Sequence, residues 1–342
     1  MKLNEKYQVV IGLEVHAQLL TKSKLFCGDP IAFGAAPNTQ VSPISLAHPG
    51  TLPVMNKEVI NLAVKLGIAL HCSITQHHYF ARKNYFYPDL PKGYQVSQHT
   101  APICEGGYLN IYTEEGAKKV MLNRIHMEED AGKSIHDLEE NYSCIDLNRA
   151  GTPLLEIVTE PCIHSSDEAF TFLTDLRKLV RWLNVCDGNM EEGSLRCDAN
   201  ISVRLAGETA LGTRVEVKNL NSIRNVKKAI ELETERLIQL LENGESVLQQ
   251  TRSFDADKGI TFALRSKEEA DDYRYFPEPD LPAFFISAAH MKNIKASMPM
   301  LPDILQNNYK ETYGLTEYDA SIICSDQEDA TFYENLVKHT KH

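Results

Sequence analysis

Hydrophobic and polar residues alternate along several stretches of this chain, and the polar members are nearly all acids, amides or bases. From Val9 to Gln18, the residues Val9, Ile11, Leu13, Val15 and Ala17 take one set of alternate positions. Gly12, Glu14, His16 and Gln18 take the other. Successive side chains of a strand point to opposite faces, so the pattern predicts a strand with one apolar face and one polar face. Leu195, Cys197, Ala199, Ile201 and Val203 alternate in the same way with Arg196, Asp198, Asn200 and Arg204. Arg214, Glu216 and Lys218 alternate with Thr213, Val215 and Val217, and Glu156 lies between Leu155 and Ile157. Further strands are predicted at about 108–113 and 119–129. Any one of these strands fits a half-buried antiparallel sheet with a solvated face. Several in succession, sharing carboxylates, a histidine and fixed cations, fit a site for metal and phosphate built on a sheet.

Helical periodicity marks the other elements. Asn56 caps a helix whose apolar positions are Val59, Ile60, Ala63, Val64, Leu66, Gly67 and Leu70. The run from Ser165 to Glu168 reads as a capping box, with Ala169, Phe172, Leu173, Leu176, Leu179 and Val180 following at helical spacing. Asn221-Ser222 opens a long helix through Leu240, stopped by Asn243-Gly244. Between these elements, Thr21 to Val54 and Phe80 to Gln95 are rich in turn residues and read as irregular segments. Loops this long in a compact unit usually cover a site. Strand runs broken by single helices point to an α+β fold rather than a parallel βαβ one. The texture changes near residue 297. Asp303 to Tyr313 and Tyr318 to Lys341 read as short polar helices, the start of a helical domain over 298–342 after a main unit of 1–297.

Composition narrows the classes. The chain has 342 residues and a net charge of -12, so a basic surface is not what would bring it to nucleic acid. An acidic protein handling polyphosphate would need divalent cations to offset repulsion. The eight cysteines include no Cys-x-x-Cys pair, which argues against a zinc knuckle or dithiol motif and fits a reducing cytoplasm. No segment has the length and apolarity of a membrane span.

The chemistry then rests on particular side chains. Glu14, His16, Glu128, Glu129 and Glu156 are candidate ligands for magnesium or manganese. Glu128 and Glu129 are adjacent, so a regular strand aims only one of them at the site. Alternation groups Glu128 with Arg124 and His126 and so favours Glu128, unless the turn at Asp130 shifts the register. Arg196, Lys218 and Arg274 could neutralise phosphate. Lys83 and the aromatics from Tyr85 to Tyr87 could bind substrate or pack under the loop. Asp130-Ala-Gly-Lys-Ser134 ends like a phosphate-binding loop, but Met127 stands where the first glycine is required. Nucleotide phosphates would therefore be held by metals and side chains on the sheet.

Several longer runs resemble one family. These are Gly12-Leu-Glu-Val-His16, His126-Met-Glu-Glu-Asp-Ala-Gly-Lys-Ser134, Asp146 to Glu156, Met190 to Asn200, Lys218-Asn-Leu-Asn-Ser222 and Asp272 to Asp280. Together they resemble the GatB family, the B subunits of aspartyl/glutamyl-tRNA(Asn/Gln) amidotransferases, from about residue 8 to 290. The resemblance implies a large antiparallel sheet, a catalytic cradle like that of the glutamine synthetase/guanidino kinase fold. It implies ATP- and magnesium-dependent phosphorylation of glutamate or aspartate mischarged on tRNA. Ammonia from a glutaminase partner (GatA), strapped on by a smaller one (GatC), would then displace the phosphate.

For the site, the resemblance implies metal ligands at His16, Glu129 and Glu156, with Glu14 and Glu216 beside a second ion, and so favours Glu129 over Glu128. Asn200 and Arg274 fall within its substrate motifs. Asp198 or Glu216 could accept the proton lost by ammonia, with Arg196 and Lys218 relieving charge repulsion. Family members also carry a complete helical domain and a tail domain that grips tRNA. The tail is expected to be absent here, so tRNA is expected to bind weakly, and no zinc is expected. Two other classes remain: a free-standing acid–ammonia ligase acting on a small molecule, and a catalytically silent tRNA-binding scaffold.

Overall fold

The computed structural model describes residues 6–114, 116–136, 138–266 and 273–340. Its centre is a large sheet built on β1 (Tyr7–Gln18), β2 (Gly116–Glu129), β3 (Pro153–Thr159), β4 (Leu195–Leu205), β5 (Val215–Leu220), β6 (Gln250–Asp255) and β7 (Ile260–Ser266). The order is β7-β6-β5-β4-β1-β3-β2, extended at the β2 edge by Cys104–Glu105 and Ser73–Ile74, while Tyr108–Thr113 pairs with the first half of β2. Seven helices accompany it among the described residues: α1 (Lys57–Ala69), α2 (Ser166–Trp182), α3 (Ile223–Glu242), α4 (Ala288–Ser297), α5 (Pro302–Tyr313), α6 (Glu317–Ile323) and α7 (Gln327–His339).

The architecture is α+β, but the sheet is mixed rather than wholly antiparallel. β5 and β6 run parallel. A parallel neighbour needs a crossover connection, and α3 supplies it. α3 is tied to both strands that follow it. The Glu233 carboxylate, wholly buried, accepts from Thr261 Oγ1 at 2.8 Å on β7 and lies 3.3 Å from Arg252 Nε on β6. Arg236 on the next turn of α3 also pairs with it. A buried carboxylate is tolerated only with such partners.

The alternation sorts the sheet into two faces as its pattern predicts. Ile11, Leu13, Val15 and Ala17 of β1 and Ala199 and Ile201 of β4 are fully buried against the helical side, where α2 and α3 pack on each other and α3 packs on β4. Each such aliphatic side chain stabilises the fold by roughly 1.5–3 kcal/mol, and Leu13→Ala would cost about 2–5 kcal/mol. The predicted caps are made. Asn56 accepts from the Glu58 N–H, Ser165 from Glu168 and Ser222 from Asn225, each contributing about 1 kcal/mol. Gly244, at φ 74°, takes the left-handed turn that ends α3.

Three segments differ from the sequence pattern. Phe80 to Gln95 is not wholly irregular: Ala81–Asn84 pairs with Tyr94–Ser97, and Phe276–Pro277 adds to it. This three-stranded flap lies beside the end of β2, and its strands, two to four residues long, are too short to announce themselves by alternation. The stretch predicted as one helix from Tyr318 divides into α6 and α7, because Asp326 accepts from the Glu328 N–H and starts a new helix. α4 has no predicted counterpart; it buries Ile294 alone, so no stripe marks it.

Candidate active site on the open sheet face

The face of the sheet away from α2 and α3 carries the polar half of the alternation. Pairing register places these residues in rows across the strands. His126 of β2, Glu156 of β3, His16 of β1 and Arg196 of β4 are successive partners. Glu14 pairs with Asp198, and Asn200 with Glu216 of β5.

Two clusters result. In the first, His16 Nε2 lies 3.8 Å from Glu128 Oε1 and 3.9 Å from Glu156 Oε2, and one atom from each residue lies within 4.8 Å of the others. Donors about 2.1 Å from a common ion can be up to about 4.2 Å apart, so this nitrogen and these two carboxylates fit a single hard cation. Burial, reinforced by Glu156, pushes the Glu128 carboxyl up to about 7. Glu156 is also pushed up by burial, but His16, His126, Lys83 and Arg124 together outweigh this and hold it below the usual range.

The second cluster joins Glu14, Asp198 and Glu216, again with atoms within 4.8 Å. Here a cation is built in. Lys218 Nζ lies 2.5 Å from Asp198 Oδ2 and 3.0 Å from Glu216 Oε1, and these carboxylates hold its amine above its ordinary value against the effect of burial. Glu216 also accepts from Thr251 Oγ1 at 2.9 Å. Asn200 Nδ2 donates to Glu14 Oε1 at 2.8 Å, while Asn200 Oδ1 is buried without a partner. An orphaned carbonyl oxygen beside three carboxylates suits a hard cation or a water bound to one.

The structure does not bring Glu129 to His16 and Glu156, against the set implied by the resemblance. β2 stays regular to its end, so Glu129 follows Ile125 and Met127 onto the covered side, and Glu128 is the one that joins His16 and Glu156. The Glu129 carboxylate accepts from the Val96 N–H at 2.8 Å and from Lys92 Nζ at 2.5 Å. It lines a separate pocket of about 140 Å³ with Lys24, Lys92, Asp130 and Glu278. Glu128 shares a face with His16 and Glu156, as alternation groups it, because the turn at Asp130 does not disturb the register.

The remaining candidates fall around the clusters. Arg196 Nη2 donates to Asp130 Oδ2 at 2.9 Å, and Gln18 Nε2 donates to the same oxygen at 2.7 Å. Burial pushes the Asp130 carboxyl up, but Arg196 and Arg149 outweigh it and keep it ionised. Lys83 rises from the flap over the rings of Tyr273 and Tyr85, at 4.9 and 5.9 Å. Burial opposes its charge, and Glu128, Tyr275 and Glu156 restore it. Tyr85 packs against Tyr273 and Tyr87, and burial pushes its hydroxyl upward. Arg274 has a left-handed φ of 44° and stands outside both clusters.

Asp272 of its motif lies outside the described residues. The rest of that motif is anchored by Arg82, which forks onto Glu278 at 2.6 and 2.8 Å and reaches Asp280 at 3.1 Å. Lys133–Ile135 pairs as a strand with Cys144–Asp146, so the segment rejected as a phosphate loop has no loop-to-helix geometry. Sequence pattern does not mark Asp130 as a site residue. Period-two counting from His16 and Glu128 reaches Gln18 and His126, but the partners of Asp130 and Arg82 come from distant strands and leave no local signal.

Comparison with known proteins decides the family. Residues 9–292 match the family model of the GatB/GatE catalytic domain. The chain belongs to the GatB/GatE family. It is 53% identical over 336 residues to the aspartyl/glutamyl-tRNA(Asn/Gln) amidotransferase B subunit of Halorhodospira halophila, covering 98% of this chain and 70% of that one. It is also 53% identical to the corresponding B subunits of Thermodesulfovibrio yellowstonii, over 333 residues, and Geobacter sulfurreducens, over 334; each match covers 97% of this chain and 70% of the relative. All residues of both clusters lie within the span matched to the GatB/GatE model. Among the described residues no helix is long and apolar enough to cross a membrane.

Proposed function

We propose that this chain is the GatB component of a tRNA-dependent amidotransferase. It would phosphorylate the side-chain carboxylate of glutamate or aspartate mischarged on tRNA at the expense of ATP, then exchange phosphate for ammonia. The observation that carries this reading is the pair of carboxylate clusters two residues apart on β1, together with membership of the GatB/GatE family. Alternate residues on a strand are about 6.8 Å apart, a spacing suited to two ions along one polyphosphate. Glutamate-rich donors with one imidazole and an unpaired amide oxygen favour magnesium, with manganese as a substitute. When bound, the metal would neutralise phosphate and polarise the terminal phosphoryl group.

His16, Glu128 and Glu156 would hold one ion, and Glu14, Asp198 and Glu216 the other. Arg196, oriented by Asp130, and Lys83, whose charge Glu128 and Glu156 support, offer positive charge to the phosphoryl group. The acceptor carboxylate is already anionic, so the first step needs no general base. In the second step ammonia nitrogen bonds to the acyl carbon, the bond to the phosphate oxygen breaks, and one proton is lost. Lys218 bonds to both Asp198 and Glu216 and so weakens each as a proton acceptor. We therefore assign these two to charge binding, with the departing phosphate taking the proton.

The large sheet with an open, acid-lined face supports kinship with the glutamine synthetase/guanidino kinase cradle over 1–297, and 298–342 would begin a helical domain. Ammonia would come from a glutaminase partner, GatA in this family, held with GatC. The test is phosphate release from ATP by the assembled enzyme, with and without mischarged tRNA. Release that depends on mischarged tRNA and magnesium is expected. Equal release without tRNA would favour a ligase for a small molecule, and no release under any condition would favour a binding scaffold. The purified chain alone should make no amide from glutamine, and ammonium salts should partly replace the missing glutaminase.

A further inference from the structure

His126 belongs to neither cluster, yet it stands at the end of the row His126–Glu156–His16–Arg196 that crosses the sheet. It shares the open face with Arg124 and Glu128. The residue is 6% exposed, and Nε2 is buried without a hydrogen-bond partner. Native structures rarely leave such a nitrogen unpaired, and a ring that merely filled space would be replaced by an apolar one at no loss. The charged and polar groups that face it are Glu156 across the strand, Arg124 on its own strand, and Lys83 and His99 from the flap side. His99 is itself fixed, its ring stacked on Tyr275 at 4.1 Å and 6°.

Position along the row separates His126 from the nucleotide side. The second cluster, with Lys218 and nearby Arg196, lies toward β4 and β5 and gathers the cations a triphosphate needs. His126 lies in the opposite direction from the first cluster, toward the flap that carries Lys83 and Tyr85. A group held there would approach the terminal phosphorus from the side away from the rest of the nucleotide, as in-line transfer requires.

We propose that His126 is a substrate-contacting residue: its Nε2–H donates a hydrogen bond to the side-chain carboxylate of the aminoacyl end and holds it for attack on the terminal phosphorus. This rests on the amidotransferase reading above and adds to it which side of the first cluster receives the amino acid. The imidazole takes the Nε2–H tautomer in this role and transfers no proton, so no covalent bond to it forms.

The test uses the enzyme assembled with its partner subunits and compares His126→Phe, which keeps a flat ring without a donor, with His126→Gln, whose amide N–H reaches the position of Nε2. The expected result for His126→Phe is a loss in kcat/KM for mischarged tRNA of roughly 10–100-fold, with KM for ATP and the magnesium requirement unchanged. His126→Gln should recover part of the loss. A merely structural role would not divide the two substrates in this way. An unchanged kcat/KM for mischarged tRNA in His126→Phe would overturn the proposal. So would an equal rise in KM for ATP or in the magnesium requirement, which would assign the ring to the nucleotide or metal side. If His126→Phe does not fold, His126→Leu replaces it as the variant without a donor, and an unchanged kcat/KM for mischarged tRNA in that variant overturns the proposal equally. Failure of the amidotransferase reading is distinguishable, because the unmodified enzyme would then show no turnover dependent on mischarged tRNA.

Discussion

The two clusters on the open face share a strand and differ in how their charge is balanced. Glu14, Asp198 and Glu216 have Lys218 among them, so one of their three charges is offset by the chain itself. Glu128 and Glu156 have only His16 within ion-pair distance among the described residues, and Glu128 is the most deeply buried of the three. The first cluster therefore stores unrelieved repulsion that an added cation removes. The second is partly balanced and can exchange its lysine's contacts for those of an ion or a phosphate. One site depends on its cation for charge balance; the other adjusts to it.

That contrast can be broken at its strongest point by neutralising the first cluster. Glu128→Gln and Glu156→Gln should each keep the fold and lower ATP turnover dependent on mischarged tRNA by at least about a hundredfold. Glu129→Gln, one residue away but on the covered side, should leave the magnesium concentration for half-maximal turnover unchanged. Magnesium titrations of turnover in the three variants read this out. If Glu129→Gln shifts the magnesium requirement and Glu128→Gln does not, the first cluster has been assigned to the wrong carboxylate.

A smaller effect is expected in the second cluster. Lys218→Met removes its internal cation and should cost about 1–3 kcal/mol, since the amine is partly exposed and solvent screens part of the pair. Magnesium should restore more of this loss in Lys218→Met than it adds to the unmodified chain. Thermal unfolding with and without magnesium measures both, and a variant that magnesium does not rescue would deny that the lysine and an ion serve the same carboxylates.

The smallest expected effect is in pH. The Glu128 carboxyl titrates near 7 in the fold, above an unfolded value of about 4.3. A raised folded value contributes stability below the unfolded pKa and loses it as pH rises through the folded one. Without divalent ions, Tm should therefore fall by about 2–4 °C between pH 5 and 8 from this group. Glu128→Gln or saturating magnesium should flatten the fall. A slope unchanged in Glu128→Gln would mean that Glu128 is not the group under strain.

Much of this site is written in period-two alternation, because a strand buried on one face must alternate. Glu14, His16, Glu156, Asp198 and Asn200 can be assigned to one face from that rule alone. It also separates Glu128 from Glu129, where the family resemblance points the other way. Helix starts are legible because Asn56, Ser165 and Ser222 satisfy backbone donors locally. The parallel pairing of β5 with β6 is not legible, since alternation states which face a residue occupies and not which strand lies beside it. The flap escapes the pattern because its four-residue strands are stabilised by Arg82 reaching Glu278 and Asp280, nearly two hundred residues away. Lys218's place between two carboxylates likewise depends on pairing of β4 with β5.

The position of β1 has a consequence for synthesis. It is made well before its neighbours, β3 at 153–159 and β4 at 195–205. At about 5–20 residues per second, roughly 10–40 s pass on the ribosome before both have been made. Through that interval the segment from Tyr7 to Gln18 has two open backbone edges and an apolar row, the combination that templates aggregation. Glu14, the one acid in this segment, puts charge into it before it meets any cation, so the same carboxylate guards the nascent strand and serves the finished site.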